Sequence, residues 1–437
     1  MESWYSSASI EEVRRMALSG HLRHRFIAWQ VMLGIFYGSV DNWVLITHKH
    51  RLDYNRKKAE LIPKKILGQD IILDNPLSNN AQSPWYTHFK NQEIRRIIRI
   101  DVDRTFQKYQ FFQQERNKAY LENTLFVWSM THTLGYNQGF NELMAVILYA
   151  GLSDEETPDN LISHENIEAD CYTIFSKLMD TGIANMFIQK LSRPKLRDNA
   201  LDEIATVDRS SENDLSEMIR RCHYVFHRVL QATDPELYHH ILKYKYEPQL
   251  FLVRWLRCML SREFSLNQTL IVWDTIFACH DLKSRDFELL NYICAAMLSS
   301  DRECLLSKRD SDLLQELMNP VPIEDIKGIL QIAMRYLREK PDNKVSYTPH
   351  QGSNIFTSSL KMLYDLVTTR IGPPIAPVVK ITEIPKNEKE ITLESMLKIT
   401  KQVKAMIKKQ KTEKEIDENE IRKAIRLLKI MLDYNED

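Results

Sequence analysis

Ile94-Arg-Arg-Ile97-Ile98-Arg-Ile-Asp101-Val-Asp-Arg104 carries apolar residues at 94, 97 and 98, the three-and-four spacing of one helix face, and ends in a charged turn. The same period runs to either side of it. Leu22, Phe26, Trp29 and Leu33 repeat it upstream, and Leu121, Leu125, Trp128 and then Phe140, Leu143, Ile147 repeat it downstream. Gly34 lets the upstream helix stop or approach a neighbour closely. Ser9-Ile-Glu-Glu12 spells a capping box, in which serine and glutamate satisfy orphan amides reciprocally, so a helix is predicted to begin there. Only 11 glycines are present, where average usage of about 7% would give roughly thirty. Leu, Ile, Met, Lys, Glu and Arg fill the segments between polar breaks. No convincing strand-and-turn series interrupts them, and the predicted class is all-α.

A chain of 437 residues is too long for one ordinary core, which predicts two packed lobes or one large helical domain with appendages. Residues 153–170, acidic and carrying Pro158, and the polar residues 192–214 with Pro194, read as excursions between helices. A second apolar block, from about Met218 to Leu317, sets Ile219, Cys222, Phe226 and Leu230 on one face and predicts the second lobe. After residue 340 the texture changes to a linker, 341–386, with a short helix around Ile355, Phe356, Leu360 and Leu363 and then Pro373, Pro374 and Pro377. Residues 387–437 return to heptad-like spacing: Met396, Ile399, Val403 and Met406, then Ile421, Ile425, Leu428 and Leu432. Lys398, Lys401, Lys404, Lys408, Lys409, Lys411 and Lys414 make the first of these segments basic, which fits a solvated face or an acidic membrane surface.

Lys plus Arg and Asp plus Glu both total 59, so the chain lacks the basic excess by which a protein grips phosphates. No nucleic-acid partner is expected. The six cysteines, at 171, 222, 258, 279, 294 and 304, contain no C-x-x-C pair and read as reduced core residues. Glu2, Glu11 and Glu12 interrupt any signal-peptide pattern at the start, and the longest apolar run, Leu143 to Leu152, is far short of a membrane span. A cytoplasmic protein is expected.

Few residues carry a chemical pattern. There is no G-x-x-x-x-G-K-[ST] loop and no Gly-rich dinucleotide turn. His223 and His227 stand one turn apart, a spacing that suits a metal, but without the glutamate of H-E-x-x-H two ordinary helix histidines are the better reading. Asp101-Val-Asp103 would suit a divalent cation in a sugar-nucleotide transferase, a class that needs an α/β nucleotide fold absent from this pattern. What remains is Ile98 to Arg104, followed some thirty residues later by Tyr136-Asn-Gln138-Gly139. Taken singly, Arg104 reads as a helix-end cation and Gln138 as a polar residue at a helix start.

Together, in this helical context, the two segments resemble the catalytic motifs I-x-x-D-x-x-R and Y-x-Q of the TBC family of Rab GTPase-activating proteins. His24-Arg-Phe-Ile-Ala-Trp29 with Leu33-Gly34 resembles the family's opening element, and Arg254-Trp255, Arg262-Glu-Phe264 and Val272-Trp-Asp274 its later blocks. The resemblance covers about residues 20–340, which places a TBC domain at 1–340. Asp74 to Ser78, Asp101 to Glu115 and Tyr246 to Gln249 resemble the member-five branch of the family in particular.

The resemblance implies an all-helical, two-lobed, V-shaped domain whose groove receives a GTP-bound Rab; the heptad-like spacing of 387–437 adds a C-terminal helical extension to that domain. Arg104 would supply charge in trans and Gln138 would orient the water or support the GTPase's own switch; Asp101 and Tyr136 would support them. No cofactor of its own is implied, since GTP and Mg²⁺ belong to the partner GTPase. A late-endosomal Rab, an endosomal coat complex and peripheral association with endosomal membranes are the implied partners and place. Phe140 stands where methionine commonly follows the family's Q-G, and Asn137 stands between the tyrosine and glutamine. The competing expectation, from another class, is a helical scaffold that binds a Rab or coat complex without accelerating hydrolysis.

Overall fold

Ser9 caps the first helix as its spacing predicts: its Oγ accepts from the Glu12 amide at 3.3 Å, and its own amide donates to Glu12 Oε2 at 2.7 Å. The computed structural model describes residues 9–20, 22–62, 84–188, 216–320 and 322–339, with backbone alone at 84–87. All regular structure among these residues is helical. The linker at 341–386, the lysine-rich segment at 387–437 and the polar excursion at 192–214 lie outside the described residues.

In chain order the helices are α1 (Ile10–Ser19), α2 (Arg25–Met32), α3 (Val40–Leu61), α4 (Pro84–Arg104), α5 (Gln110–Gln113), α6 (Glu115–Thr131), α7 (Phe140–Ser153) and α8 (Ile167–Asp180). There follow α9 (Glu217–Tyr224), which runs through a π-helical turn at Val225–Leu230 into α10 (Gln231–Thr233), then α11 (Pro235–Leu242) and α12 (Gln249–Arg257). The described chain closes with α13 (Leu266–Ala278), α14 (Glu288–Ser300), α15 (Arg302–Ser307), α16 (Asp310–Met318) and α17 (Ile326–Glu339).

One set of helices, α3, α4, α6, α7 and α8, packs mutually, and a second set is built on α9, α12, α14 and α17. The two sets do not divide cleanly along the sequence. α1 and α2, from the start of the chain, pack on α13, which also touches α7 and α17. Trp29, Trp273 and Phe277, each 0% exposed, form the centre of that junction, with ring centroids 5.7 Å apart for the tryptophans and 5.2 Å for Trp29 with Phe277. Burying side chains of this size contributes about 1.5–3 kcal/mol apiece.

A buried carboxylate completes the junction. Asp274 accepts from Trp29 Nε1 at 2.7 Å and from Arg25 Nε at 2.9 and 3.0 Å. Burial raises its pKa to about 6, against the opposing pull of Arg25 and Trp29. The opening block and the Trp-Asp block of the sequence are therefore partners across 245 residues. Arg254 and Glu263, from the blocks between, form a bidentate pair at 2.6 Å. Gly34 follows α2 in a left-handed conformation, φ 70°, which ends the helix, and it also faces Leu282, whose Cδ2 would lie 3.1 Å from any added Cβ.

Two sequence-based expectations need correction. Ile97 is 43% exposed and turns away from the buried face that Ile98 and Val102 form, because i and i+1 lie about 100° apart on a helix. Residues 153–170 are not wholly a surface excursion: Leu161 and Ile162 are buried, and Asp170 belongs to α8, where it binds Arg51 with bonds of 2.8 and 2.7 Å.

Candidate functional site: the end of α4 and the α6–α7 loop

Arg104 is the last residue of α4. The chain leaves the helix there because Phe106 adopts a left-handed conformation, φ 42°, after the Thr105 amide closes a last turn onto Val102 O at 3.1 Å. A cation at this end is favoured by the unsatisfied carbonyls of the helix. Three residues earlier on the same turn, Asp101 Oδ1 binds Arg104 Nη2 at 2.6 Å, as the sequence spacing predicted. The two ends of this pair differ in exposure. The arginine side chain is 52% exposed and that of the aspartate 6%.

The second oxygen of Asp101 is taken by Tyr136, whose hydroxyl donates to Oδ2 at 2.7 Å. Burial, and then the charge of Asp101, push the tyrosine's pKa far above its ordinary value, so the phenol keeps the proton that makes this bond. The resemblance gave Tyr136 a supporting role, and its ring packs on the loop, 5.9 Å from Phe140, as well as its hydroxyl reaching α4. Phe140 is fully buried and meets Trp128, Phe175 and Phe187 edge to face at 5.3, 5.7 and 4.7 Å, so the departure from methionine is filled by an aromatic box.

Gln138 lies half-buried two residues beyond Tyr136, in the loop that joins α6 to α7. The glycines flanking that loop serve different ends. Gly135, φ 69°, opens onto space, with nothing within 4 Å of an added Cβ, which suits close approach by a partner. Gly139, φ 105°, turns inward against Cys258 and Phe187; the left-handed backbone, not an approaching partner, is what requires glycine there.

Two residues that the sequence did not place in the site join these parts. Asn141 accepts from the Gly139 amide through Oδ1 at 3.0 Å and donates through Nδ2 to Thr105 Oγ1 at 2.8 Å. Thr105 in turn donates to Asp101 O at 2.7 Å. Their burial was not legible from one sequence, because the bond that joins them runs from the end of α4 to the start of α7, between residues 36 apart. Glu142 pairs with Arg262 Nε at 2.7 Å, fastening the start of α7 to the loop between α12 and α13.

The discounted alternatives find no support in the geometry. Asp103 is bound to Arg99 at 3.2 Å and Lys118 at 2.9 Å, while Asp101 serves Arg104 and Tyr136, so the two carboxylates have separate partners. His227 Nδ1 meets the Tyr238 hydroxyl at 3.1 Å, and burial lowers the pKa of His223. Among the described residues, the trio with metal-ligand spacing is Asp301, Cys304 and Glu316, elsewhere in the fold, and Lys308 already pairs with its glutamate. Cys171, Cys222, Cys258 and Cys294 are buried, all six cysteines are free, and burial raises the pKa of each of the four. No helix of the described residues is long and apolar enough to cross a membrane.

The site is thus an arginine tip presented at a helix end, seated on a buried carboxylate, beside a tethered loop that carries a glutamine. The chain belongs to the Rab-GTPase-TBC domain family, whose model matches residues 23–306 and so takes in Arg104 and Gln138. It is 29% identical over 371 residues to TBC1 domain family member 5 of Homo sapiens, covering 80% of this chain and 46% of that protein. It is 27% identical over 328 residues to GTPase-activating protein gyp1 of Schizosaccharomyces pombe, covering 72% of this chain and 54% of the relative. The chain spans about half the length of these relatives. The crystal structure of the Ypt/Rab-GAP domain of Gyp1p matches with a TM-score of 0.58 at 18% identity, over 77% of this chain and 95% of the other, which establishes the shared fold.

Proposed function

We propose that this chain accelerates GTP hydrolysis on a Rab-type GTPase, with Arg104 and Gln138 both entering the partner's nucleotide site. The observation that carries the reading is the half-exposed guanidinium of Arg104 held at 2.6 Å by a carboxylate that is itself buried and held by Tyr136. Phosphoryl transfer builds charge on the γ-phosphoryl and bridging oxygens, so a rigidly seated cation placed there lowers the barrier. A planar guanidinium matches that geometry better than an ammonium does. Asp101 orients the arginine and takes no part in proton transfer. GTP and Mg²⁺ come with the GTPase, and the chain has no independent catalysis in this scheme. Its resemblance to the member-five branch directs the first assays to a late-endosomal Rab, with action in the cytoplasm at endosomal membranes and an endosomal coat complex as a further partner.

The deciding experiment is single-turnover GTP hydrolysis across a Rab panel with saturating activator, using each Rab both as wild type and with its switch glutamine changed to leucine. If Gln138 supplies the water-orienting amide, the leucine form is still accelerated, and Gln138→Ala removes that acceleration while slowing the wild-type Rab and leaving affinity intact. Binding without acceleration of any Rab would instead make the chain a scaffold. Full activity of Gln138→Ala on both Rab forms would leave Arg104 as a solitary finger.

A further inference from the structure

We infer that Thr105 and Asn141 are positioning residues that fix Gln138 relative to Arg104, an inference that rests on the GTPase-activation reading above. The glutamine loop is fastened to the last turn of α4 on both sides of Gln138. On the near side Tyr136 donates to Asp101 Oδ2 at 2.7 Å. On the far side Asn141 donates to Thr105 Oγ1 at 2.8 Å, with a longer contact of 3.4 Å to Asp101 O, while its own carbonyl oxygen takes the Gly139 amide at 3.0 Å.

These bonds determine one another. A hydroxyl has a single proton, and Thr105 directs it to Asp101 O at 2.7 Å; toward Asn141 it therefore acts as acceptor. That requirement turns the amide nitrogen of Asn141 to Thr105 and its oxygen to the Gly139 amide, the residue directly after Gln138. Thr105 is 2% exposed and Asn141 3%, so water does not compete for these bonds. The loop turns at two left-handed glycines, Gly135 just before Tyr136 and Gly139 just after Gln138, with short-range bonds from the Gly135 amide to His132 O at 3.2 Å and from Asn137 Nδ2 to Leu134 O at 3.3 Å shaping it locally. Two groups that must meet one transition state need their separation fixed before the partner arrives, and displacement by about 1 Å costs up to about a hundredfold in rate.

A bond that merely holds α4 against α7 would affect stability and binding together; a positioning role acts on the chemical step. The test uses the full chain with Thr105→Val, which keeps the shape and removes the hydroxyl, and Thr105→Ser, which restores it. Three quantities are measured: the single-turnover rate on the responsive Rab at saturating activator, the affinity for that Rab loaded with a non-hydrolysable GTP analogue, and amide exchange over residues 132–140. The valine variant is expected to lose about ten- to a hundredfold in rate, to keep its affinity within about twofold, and to exchange faster in the loop. The serine variant should return all three toward wild type. If Thr105→Val does not fold, Asn141→Ala is put through the same measurements.

Wild-type rate and exchange in the valine variant would overturn the inference, as would parallel losses of rate and affinity that serine fails to restore. A wild-type chain that accelerates no Rab overturns the activation reading alone. In that event the exchange measurement still judges the fastening: faster loop exchange in Thr105→Val supports it, and unchanged exchange overturns it.

Discussion

Asp101 and Asp274 are built alike and serve different ends. Each is a buried aspartate, 5% and 3% exposed, held by an arginine and by the polar end of an aromatic side chain: Arg104 and Tyr136 for the first, Arg25 and Trp29 for the second. The difference lies in the arginine. Arg25 is 22% exposed and reaches its carboxylate from 249 residues away, so its charge is spent joining α2 to α13. Arg104 is 52% exposed and takes its carboxylate from its own helical turn. A buried carboxylate with an arginine and an aromatic donor is therefore a structural rivet when the arginine is covered, and in the function proposed above it is the seat of the arginine that projects.

This contrast is sharpest at Arg104. Arg104→Lys keeps the charge but loses the planar fork, and stimulated hydrolysis is expected to fall by about 10³–10⁵, or roughly 4–7 kcal/mol of barrier, with the melting temperature nearly unchanged. Near-wild-type turnover in the folded lysine variant would end the distinction by making Arg104 one more structural cation.

Asp274→Ala should give the opposite pattern. Removing one member of a buried pair costs about 3–5 kcal/mol of stability, while the rate per folded molecule at saturating activator should hold; denaturant unfolding and active-site-normalised turnover check this together. The same carboxylate also predicts a pH effect. Its folded pKa of about 6 lies above that of an unfolded aspartate, so the native state holds the proton more tightly and stability is fully present below about pH 4. That contribution is lost as pH rises through 6. Unfolding free energy measured from pH 4 to 7 should therefore fall more steeply for wild type than for Asp274→Asn; equal slopes would mean that Arg25 outweighs burial at this site.

Tyr136→Phe gives the smallest effect. It leaves one oxygen of the buried Asp101 without its donor, at a cost of about 1–3 kcal/mol in stability. Stimulated hydrolysis should slow several-fold, since the seat of Arg104 loosens without being lost. A phenylalanine variant as impaired as Arg104→Lys would shift the tyrosine from support into the chemistry itself.

Much was determined by the sequence alone. The helical class follows from local periodicity, the first helix from the Ser9 to Glu12 box, and the Asp101–Arg104 pair from a spacing of three within one helix, all of which depend on neighbours along the chain. The motif pair at Arg104 and Gln138 was legible as a resemblance for the same reason. Tertiary structure decided what such local rules do not reach. That Ile97 faces outward while Ile98 is buried depends on which side of α4 meets α6 and α7. That Trp29 and Asp274 are partners, and that Thr105 and Asn141 share a hydrogen bond, depends on bonds spanning 245 and 36 residues. A polar side chain in sequence carries no mark of the partner it will meet, because its bond is made only after apolar packing has brought distant helices together and excluded the water that would otherwise satisfy it.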